Sequence, residues 1–372
     1  MLFDLFNNKH MNTQIVNINL SHCNYSIFIN ESCFDFNAVA HQLKNRKIAI
    51  ISNETVAPLY LEPLKQSLKH YNNSLHDLIL KDGEQYKNQD SWNQILDFLA
   101  DNSFNRSDLL MSLGGGVICD MTGFAAASWM RGIDFIQVPT SLLAQVDASV
   151  GGKTGINHKK GKNLIGAFHQ PLAVIINAST LKTLPEREFK SGLGETIKYG
   201  FINQPQFKQW LQEHSEEIVR LNLTIMCQLI AKCCKYKKEI VQQDEKESGI
   251  RALLNLGHTF AHAIETYTHY KEYTHGEAVA IGMVMAAQLS VNLGIANDNL
   301  RKELEKHLQD FNLLTKLPKT INATALVELM RLDKKLVNNV HRLILLKSIG
   351  NAFIQTNVCE KDILQAILST QH

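Results

Sequence analysis

Five short apolar runs, separated by stretches of helical spacing, constrain the fold of this chain more than any other feature. They are Lys47-Ile-Ala-Ile-Ile-Ser52, Asp77-Leu-Ile-Leu80, Asp108-Leu-Leu-Met-Ser-Leu113, Asp134-Phe-Ile-Gln-Val138 and Ala173-Val-Ile-Ile176. Runs this short and this apolar read as buried strands. Between them, Trp92, Ile95, Leu96 and Leu99 recur at helix spacing. Strands that alternate with helices predict a largely parallel sheet with helices on its faces. Ile15 to Ile18 and Tyr25 to Ile29 add an expected hairpin at the start.

The character changes near Pro185. Helical patterns dominate from Glu188 to Gln288, and Leu343-Ile-Leu-Leu346 is the main later strand-like run. The fold class expected is therefore α/β. A Rossmann-like parallel-sheet domain over residues 1–186 precedes a mostly α-helical domain over 187–372. A chain of 372 residues is long enough for two domains.

Composition removes several function classes. A formal net charge of +2 argues for neither a nucleic-acid nor a strongly anionic partner. No apolar run approaches the roughly 18–20 residues that span a bilayer. The opening Met1 to His10 lacks the basic and apolar regions of a signal peptide. The seven cysteines are scattered without a Cys-x-x-Cys pair. That pattern argues against both a disulfide framework and a thiolate zinc site, so a reducing cytoplasm is expected.

Metal chemistry enters through histidines. His258 and His262 are spaced to share one helix face, His275 follows, and Glu195 lies upstream. The third histidine and the carboxylate, from other elements, can complete an N/O site for a divalent ion. Structural zinc sites are usually thiolate-rich, so this set points to a catalytic metal with an open position. Spacing alone does not separate His258 from His262.

Two glycine-rich segments suggest anion binding. Leu113-Gly114-Gly115-Gly116 follows an expected strand and leads into a helix, where backbone N–H groups can approach a phosphate. It is not the Gly-x-Gly-x-x-Gly dinucleotide fingerprint. Val150-Gly151-Gly152-Lys153-Thr154 lacks the first glycine of a Walker A loop, because Asp147 stands there. It reads instead as a glycine turn presenting Lys153, with Lys162 and Asn163 close behind to surround a phosphate or carboxylate.

Taken in order, the motifs resemble the 3-dehydroquinate synthase family. The resemblance is carried by Asp82-Gly-Glu84-Gln-Tyr-Lys87, Gly114 to Asp120, Trp129-Met-Arg131-Gly, Gln137-Val-Pro-Thr140, Val146 to Thr154, and Gly161-Lys-Asn163. Glu195-Thr-Ile-Lys198-Tyr-Gly, Asp244-Glu-Lys-Glu, Arg251 to Glu265, His275-Gly-Glu277 and Asp333-Lys-Lys335 continue it. The family implies zinc, with cobalt as a possible substitute, held by Glu195, His258 and His275, with His262 turned to substrate. It implies NAD at Asn53, Glu84, Lys87, Gly114, Gly115, Gly116, Asp120, Thr140, Ser141, Lys153, Lys162, Thr180 and Thr183. It implies substrate contacts from Asp147, Lys153, Asn163, Lys198, Lys237, Arg251, Asn255, His262 and Lys334 or Lys335. Arg131 would come from the partner subunit of a homodimer, and the catalytic group would comprise Asp147, Lys153, Lys198 and His262.

The reaction so implied converts 3-deoxy-D-arabino-heptulosonate 7-phosphate to 3-dehydroquinate and phosphate, with NAD used transiently. Related cyclases and metal-dependent polyol dehydrogenases are the alternatives. Arg251 and Lys237, as carboxylate binders, favour the heptulosonate. Some positions depart from the family's usual residues: Cys119 and Ala261 replace glycines, Gly194 an alanine, Ser141 a threonine and Asn177 an aspartate. All are small or polar and should tune packing more than chemistry. At Cys119 a Cβ would crowd a pyrophosphate if the backbone required positive φ.

Overall fold

The computed structural model describes residues 13–71, 73–247, 249–331 and 342–372. The chain separates into two compact units. One runs to Leu184 and also takes in Leu221–Lys238; the other comprises Pro185–Arg220 and Glu239–His372. The first division thus falls at Leu184/Pro185, and Leu221–Lys238 returns to the first unit.

The first unit holds strands β1 (Gln14–Asn19), β2 (Asn24–Asn30), β3 (Lys47–Asn53), β4 (Ser74–Leu80), β5 (Leu109–Gly114), β6 (Asp134–Pro139), β7 (Lys153–His158), β8 (Gly161–Phe168) and β9 (Ala173–Asn177). Its helices are α1 (Ala40–Leu43), α2 (Ala57–Leu68), α3 (Gln89–Asp101) and α4 (Gly116–Ser128). The five apolar runs become β3, β4, β5, β6 and β9 of a seven-stranded sheet in the order β1-β2-β9-β6-β5-β3-β4. Only the β1–β2 hairpin is antiparallel; the other neighbours pair in parallel.

Alternation along the central strands β3, β5 and β6 explains why their runs are mostly apolar. Ile48, Ile50, Leu109, Met111, Ile136 and Val138 pack on one face with Leu64 and Leu68 of α2. Ala49, Ile51, Leu110 and Phe135 pack on the other with Ile95 and Leu99 of α3 and Ile118, Met121 and Ala125 of α4. A strand buried on both faces has no solvent side on which to place polar residues.

The segment read as a glycine turn presenting Lys153 continues into a hairpin. β7 and β8 pair antiparallel, and the turn at Gly151 (φ 95°) and Gly152 (φ 66°) delivers the chain into β7. Both glycines adopt left-handed backbone that other residues resist.

In the second unit, α5 (Glu186–Ile202), α6 (Pro205–Glu213) and α7 (Ser215–Val219) come first. α8 (Leu223–Gln243) follows, and the division between units falls within it. α9 (His258–Tyr267), α10 (His275–Asn292), α11 (Asp298–Asp310), α12 (Ala323–Arg331) and α13 (Glu360–Ser369) complete the helices. The late apolar run is β10 (Leu343–Ser348), which pairs with β11 (Asn351–Gln355). α10 is buried almost all round, from Gly276 to Ser290, which makes it the central helix of this unit. It packs against α5, α9, α11, α13 and β10. Among the described residues, no helix is long and apolar enough to cross a membrane.

Candidate active site

In the second unit, α5 places Glu195 at 0% exposure. A carboxylate taken fully out of water is costly unless cations and donors surround it. Lys198, one turn along α5 and equally buried, forms an ion pair with its Oε2. Its other oxygen, Oε1, faces Nε2 of His258 at 3.3 Å and Nε2 of His275 at 3.4 Å. That oxygen is buried without a hydrogen-bond partner.

The far nitrogens of both rings are engaged elsewhere. Nδ1 of His258 lies 3.2 Å from the Leu256 carbonyl, and Nδ1 of His275 lies 3.3 Å from Oε1 of Glu265. Because a carbonyl only accepts, Nδ1 of His258 carries the proton and Nε2 keeps its lone pair. One ligand atom each from Glu195, His258 and His275 thus gather within 4.8 Å of one another. Two imidazole nitrogens and a carboxylate oxygen meeting at one point form an N/O donor set for a divalent cation.

The electrostatics agree with the donor chemistry. Burial works to raise the Glu195 carboxyl, but Lys198 and His258 hold it well below the usual range. Burial pushes the His258 imidazole down to about 4, so it is neutral. Burial also pulls on His275, but the Glu265 and Glu195 carboxylates outweigh it and push the ring up to about 10. The pocket thus leaves His258 neutral and favours positive charge at His275.

Local sequence sets this geometry. His258 opens α9 behind Gly257, which sits at φ 79°; a Cβ there would lie 2.7 Å from the Met283 amide of α10. His275 opens α10, whose start is held by a capping box between Thr274 and Glu277. Arg187 grips both oxygens of Glu277, Nε at 2.9 Å and Nη2 at 2.7 Å. His262 stands one turn beyond His258, its ring 5.8 Å from that of His258 and 6.2 Å from that of His275. It is beside the three-residue group but not part of it.

Other expected residues of this unit lie in tight settings. Arg251 is 1% exposed in the turn Ile250–Asn255. Its guanidinium donates to the Glu245 carbonyl, and its amide donates to Asp244 at 3.0 Å. Asn255 donates to Glu247 Oε1 at 2.6 Å. Lys334 and Lys335 lie outside the described residues.

The first unit gathers a second set. β5 ends at Gly114 and α4 starts at Gly116; Gly115 caps the helix with no side-chain hydrogen bond, leaving its first amides to an anion. Thr140 donates its amide to the Gly114 carbonyl at 2.9 Å, and Ser141 lies against Gly115. Lys87, 4% exposed, donates at 2.6 Å to both Asp120 Oδ2 and Asn163 Oδ1. Burial works against its charge, yet Asp120 and Glu84 raise it above the ordinary lysine value. Asn157 donates to Glu84 at 2.7 Å and accepts from the Asn163 amide at 2.9 Å, while Lys162 stands 3.9 Å from Glu84.

Around this network, Asn53 donates to Asp82 at 2.7 Å, Thr180 accepts from Gln145 at 3.1 Å, and Thr183 is 2.6 Å from the Tyr60 hydroxyl. Asp147 pairs with Lys237 at 2.9 Å. Lys153 lies exposed at the start of β7. Arg131 is exposed on a turn with φ 67°, and no described contact joins it to the network. Cys119 is within α4, outside the left-handed region, with its thiol 3.6 Å from the Gly114 carbonyl. Burial lifts that thiol to about 12, so it is a packing residue and not a reactive thiolate.

Sequence reading missed Asn157, Arg187 and Glu265. Glu265 was within reach, because it continues the His258–His262 face of α9 by one further turn. Asn157 and Arg187 find partners far away in sequence, and no local pattern marks them.

Family models described as 3-dehydroquinate synthase N-terminal and C-terminal match residues 77–191 and 192–336. A curated 3-dehydroquinate synthase of Psychrobacter arcticus is 50% identical, covering 94% of this chain and 91% of its own. Among solved structures, 2-epi-5-epi-valiolone synthase from Streptomyces hygroscopicus, with NAD+ and Zn2+ bound, superposes with a TM-score of 0.86. It is 23% identical and covers 95% of this chain and 98% of its own. A 2-deoxy-scyllo-inosose synthase complexed with carbaglucose-6-phosphate, NAD+ and Co2+ also reaches 0.86, at 22% identity over 96% of this chain and 100% of its own. At those identities the two structures speak for the fold alone.

Proposed function

Because the chain belongs to the 3-dehydroquinate synthase family, we propose that it converts 3-deoxy-D-arabino-heptulosonate 7-phosphate to 3-dehydroquinate and inorganic phosphate. The reaction is a carbon–oxygen lyase step coupled to ring closure, and it uses NAD and a divalent metal. The observation that carries this reading is the convergence of Glu195 Oε1 with Nε2 of His258 and His275 in a buried pocket.

The residues fit both groups. The partnerless Oε1 of Glu195 and the engaged Nδ1 atoms of both histidines suit a metal, zinc first and cobalt as a substitute. The uncapped α4 start behind Gly114, Gly115 and Gly116 suits the pyrophosphate of NAD. Asn53, Glu84, Lys87, Asp120, Thr140, Ser141, Lys153, Lys162, Thr180 and Thr183 belong to the same proposed assignment. A metal held by Glu195, His258 and His275 would supply acidification of the substrate hydroxyl at C5, and NAD held at the α4 start would supply a hydride acceptor that is regenerated, which would make the net reaction redox-neutral.

The chain's own groups bind and orient. In the second unit, Lys198 is assigned to a substrate hydroxyl, Arg251 with its bidentate fork to the carboxylate, and His262 to the phosphate. Asn255 also serves the substrate, with Lys334 or Lys335 for the phosphate. In the first unit, Lys153 and Asn163 are assigned to the phosphate, Lys237 to the carboxylate and Asp147 to a hydroxyl. Positive groups at the phosphate stabilise charge that develops as the carbon–oxygen bond at C7 breaks. Arg131 completes the phosphate site from the partner subunit of a homodimer, which accounts for its exposure within one chain. None of the seven cysteines is in a disulfide, which suits the proposed cytoplasmic setting.

The test is a balance of products. With the heptulosonate phosphate, zinc and NAD well below substrate, phosphate should be released stoichiometrically and NADH should never exceed the enzyme present. Sustained NADH production without phosphate release would mark a polyol dehydrogenase and overturn the proposal.

A further inference from the structure

We propose that Glu265 is a positioning residue for the metal, holding the His275 ring with Nδ1–H toward itself and Nε2 toward the ion. The proposal rests on the metal reading above and adds a residue that the three-ligand set does not contain. Glu265 lies on α9 at 2% exposure, with Oε1 3.3 Å from Nδ1 of His275. An ionised carboxylate only accepts, so Nδ1 carries a proton, and a metal ion that displaces the Nε2 proton meets the Nε2 lone pair. That lone pair is on the side of Glu195 Oε1, 3.4 Å away.

The two ligand histidines are supported differently. His258 is backed by the neutral Leu256 carbonyl, only two residues away on its own segment. His275 is backed by a charged carboxylate from another helix, so its support depends on α9 and α10 staying in register. A carboxylate behind an imidazole makes a stronger hydrogen bond than a carbonyl and raises the basicity of the opposite nitrogen. His258, His262 and Glu265 follow one face of α9. α9 therefore supplies one ligand directly and fixes the second through Glu265. A glutamate with only a helix-surface role would not be this deeply buried.

The test uses the full chain with Co2+ as the probe, read by its visible ligand-field bands and by chelator competition. Glu265→Gln keeps the side-chain shape and an accepting oxygen but removes the charge. It should fold as the wild type by circular dichroism, bind Co2+ about 10-fold more weakly and show shifted bands. Glu265→Ala should weaken binding by up to about 100-fold. His275→Ala is the control for the metal reading itself and should abolish the bands. Wild-type Co2+ binding by His275→Ala would sink that reading. Loss of Co2+ by His275→Ala, with wild-type affinity and bands in Glu265→Gln and Glu265→Ala, would overturn the Glu265 proposal alone. A lowered melting temperature in either Glu265 variant with unchanged Co2+ binding would also overturn it, because the role would then be structural. If Glu265→Ala does not fold, Glu265→Gln decides alone.

Discussion

Gly194 and Gly276 lie against each other with no room for a side chain on either. A Cβ on Gly194 would sit 3.0 Å from the Gly276 Cα and nearer still to its carbonyl, and one on Gly276 would lie 2.6 Å from the Ser191 Cα. Each glycine adjoins a member of the proposed metal group, Glu195 on α5 and His275 on α10. The close approach of two helix backbones brings the side chains at neighbouring positions together. An alanine at 194 in this chain would require α10 to shift.

Gly276→Ala should therefore act on the metal as well as on stability. Overpacking of this kind costs about 1–3 kcal/mol. The expected result is a lower melting temperature together with metal content well below that of the wild type, measured by elemental analysis after dialysis. Full metal content in a folded Gly276→Ala protein would show that the helix contact does not set the ligand spacing.

Lys87 is a second point of leverage. It is buried and donates to Asp120 and Asn163. Lys87→Met fills the same space and leaves Asp120 without its cation. Losing one partner of a buried pair costs about 3 kcal/mol or more. Urea unfolding should show a loss of that order, and NAD affinity by calorimetry should fall with it. A variant as stable as the wild type would mean that water replaces the ammonium without cost.

His307 gives a pH dependence separate from the metal. It is 2% exposed, packed between Phe201 and Phe311, and burial followed by the charge of Lys208 pushes it from 6.5 down to about 4. The folded value is below the unfolded one, so the unfolded chain takes up the proton first. Its stability contribution is complete above about 6.5, declines below that, and is gone once pH has fallen through about 4. The full swing is about 3 kcal/mol. His307→Gln should flatten the stability curve in that window relative to the wild type, as measured by denaturant titrations at several pH values; parallel curves would refute it.

Arg131 offers a test of subunit sharing. Arg131→Ala and Lys153→Ala proteins should each be nearly inactive. Mixed under conditions of subunit exchange, they should regain part of the activity, because a heterodimer keeps one intact site. Recovery should approach a quarter of the wild-type level for random exchange of equal amounts, as a rough upper estimate. Proven exchange without recovery would return Arg131 to its own subunit.

The parallel sheet was legible because burial on both faces leaves mostly apolar residues in β3, β5, β6 and β9, and such runs have few other readings. The β7–β8 hairpin was not, because glycines and lysines in its sequence carry turn and anion-binding signals as strongly as strand signals. The return of Leu221–Lys238 to the first unit was also invisible, since an amphipathic helix does not record in its own sequence which core it joins.

At the metal, His258 and His262 show where the sequence by itself stops. Their spacing determined that both project from one face of α9, a consequence of helix geometry that needs no partner. Which of them faces Glu195 depends on how α5 and α10 pack against α9, and that depends on glycines at positions 194, 257 and 276 letting backbones approach. Local periodicity is a property of one segment and can be read from it. The meeting of Glu195, His258, His275 and Glu265 is a property of three helices at once, and only tertiary packing decides it.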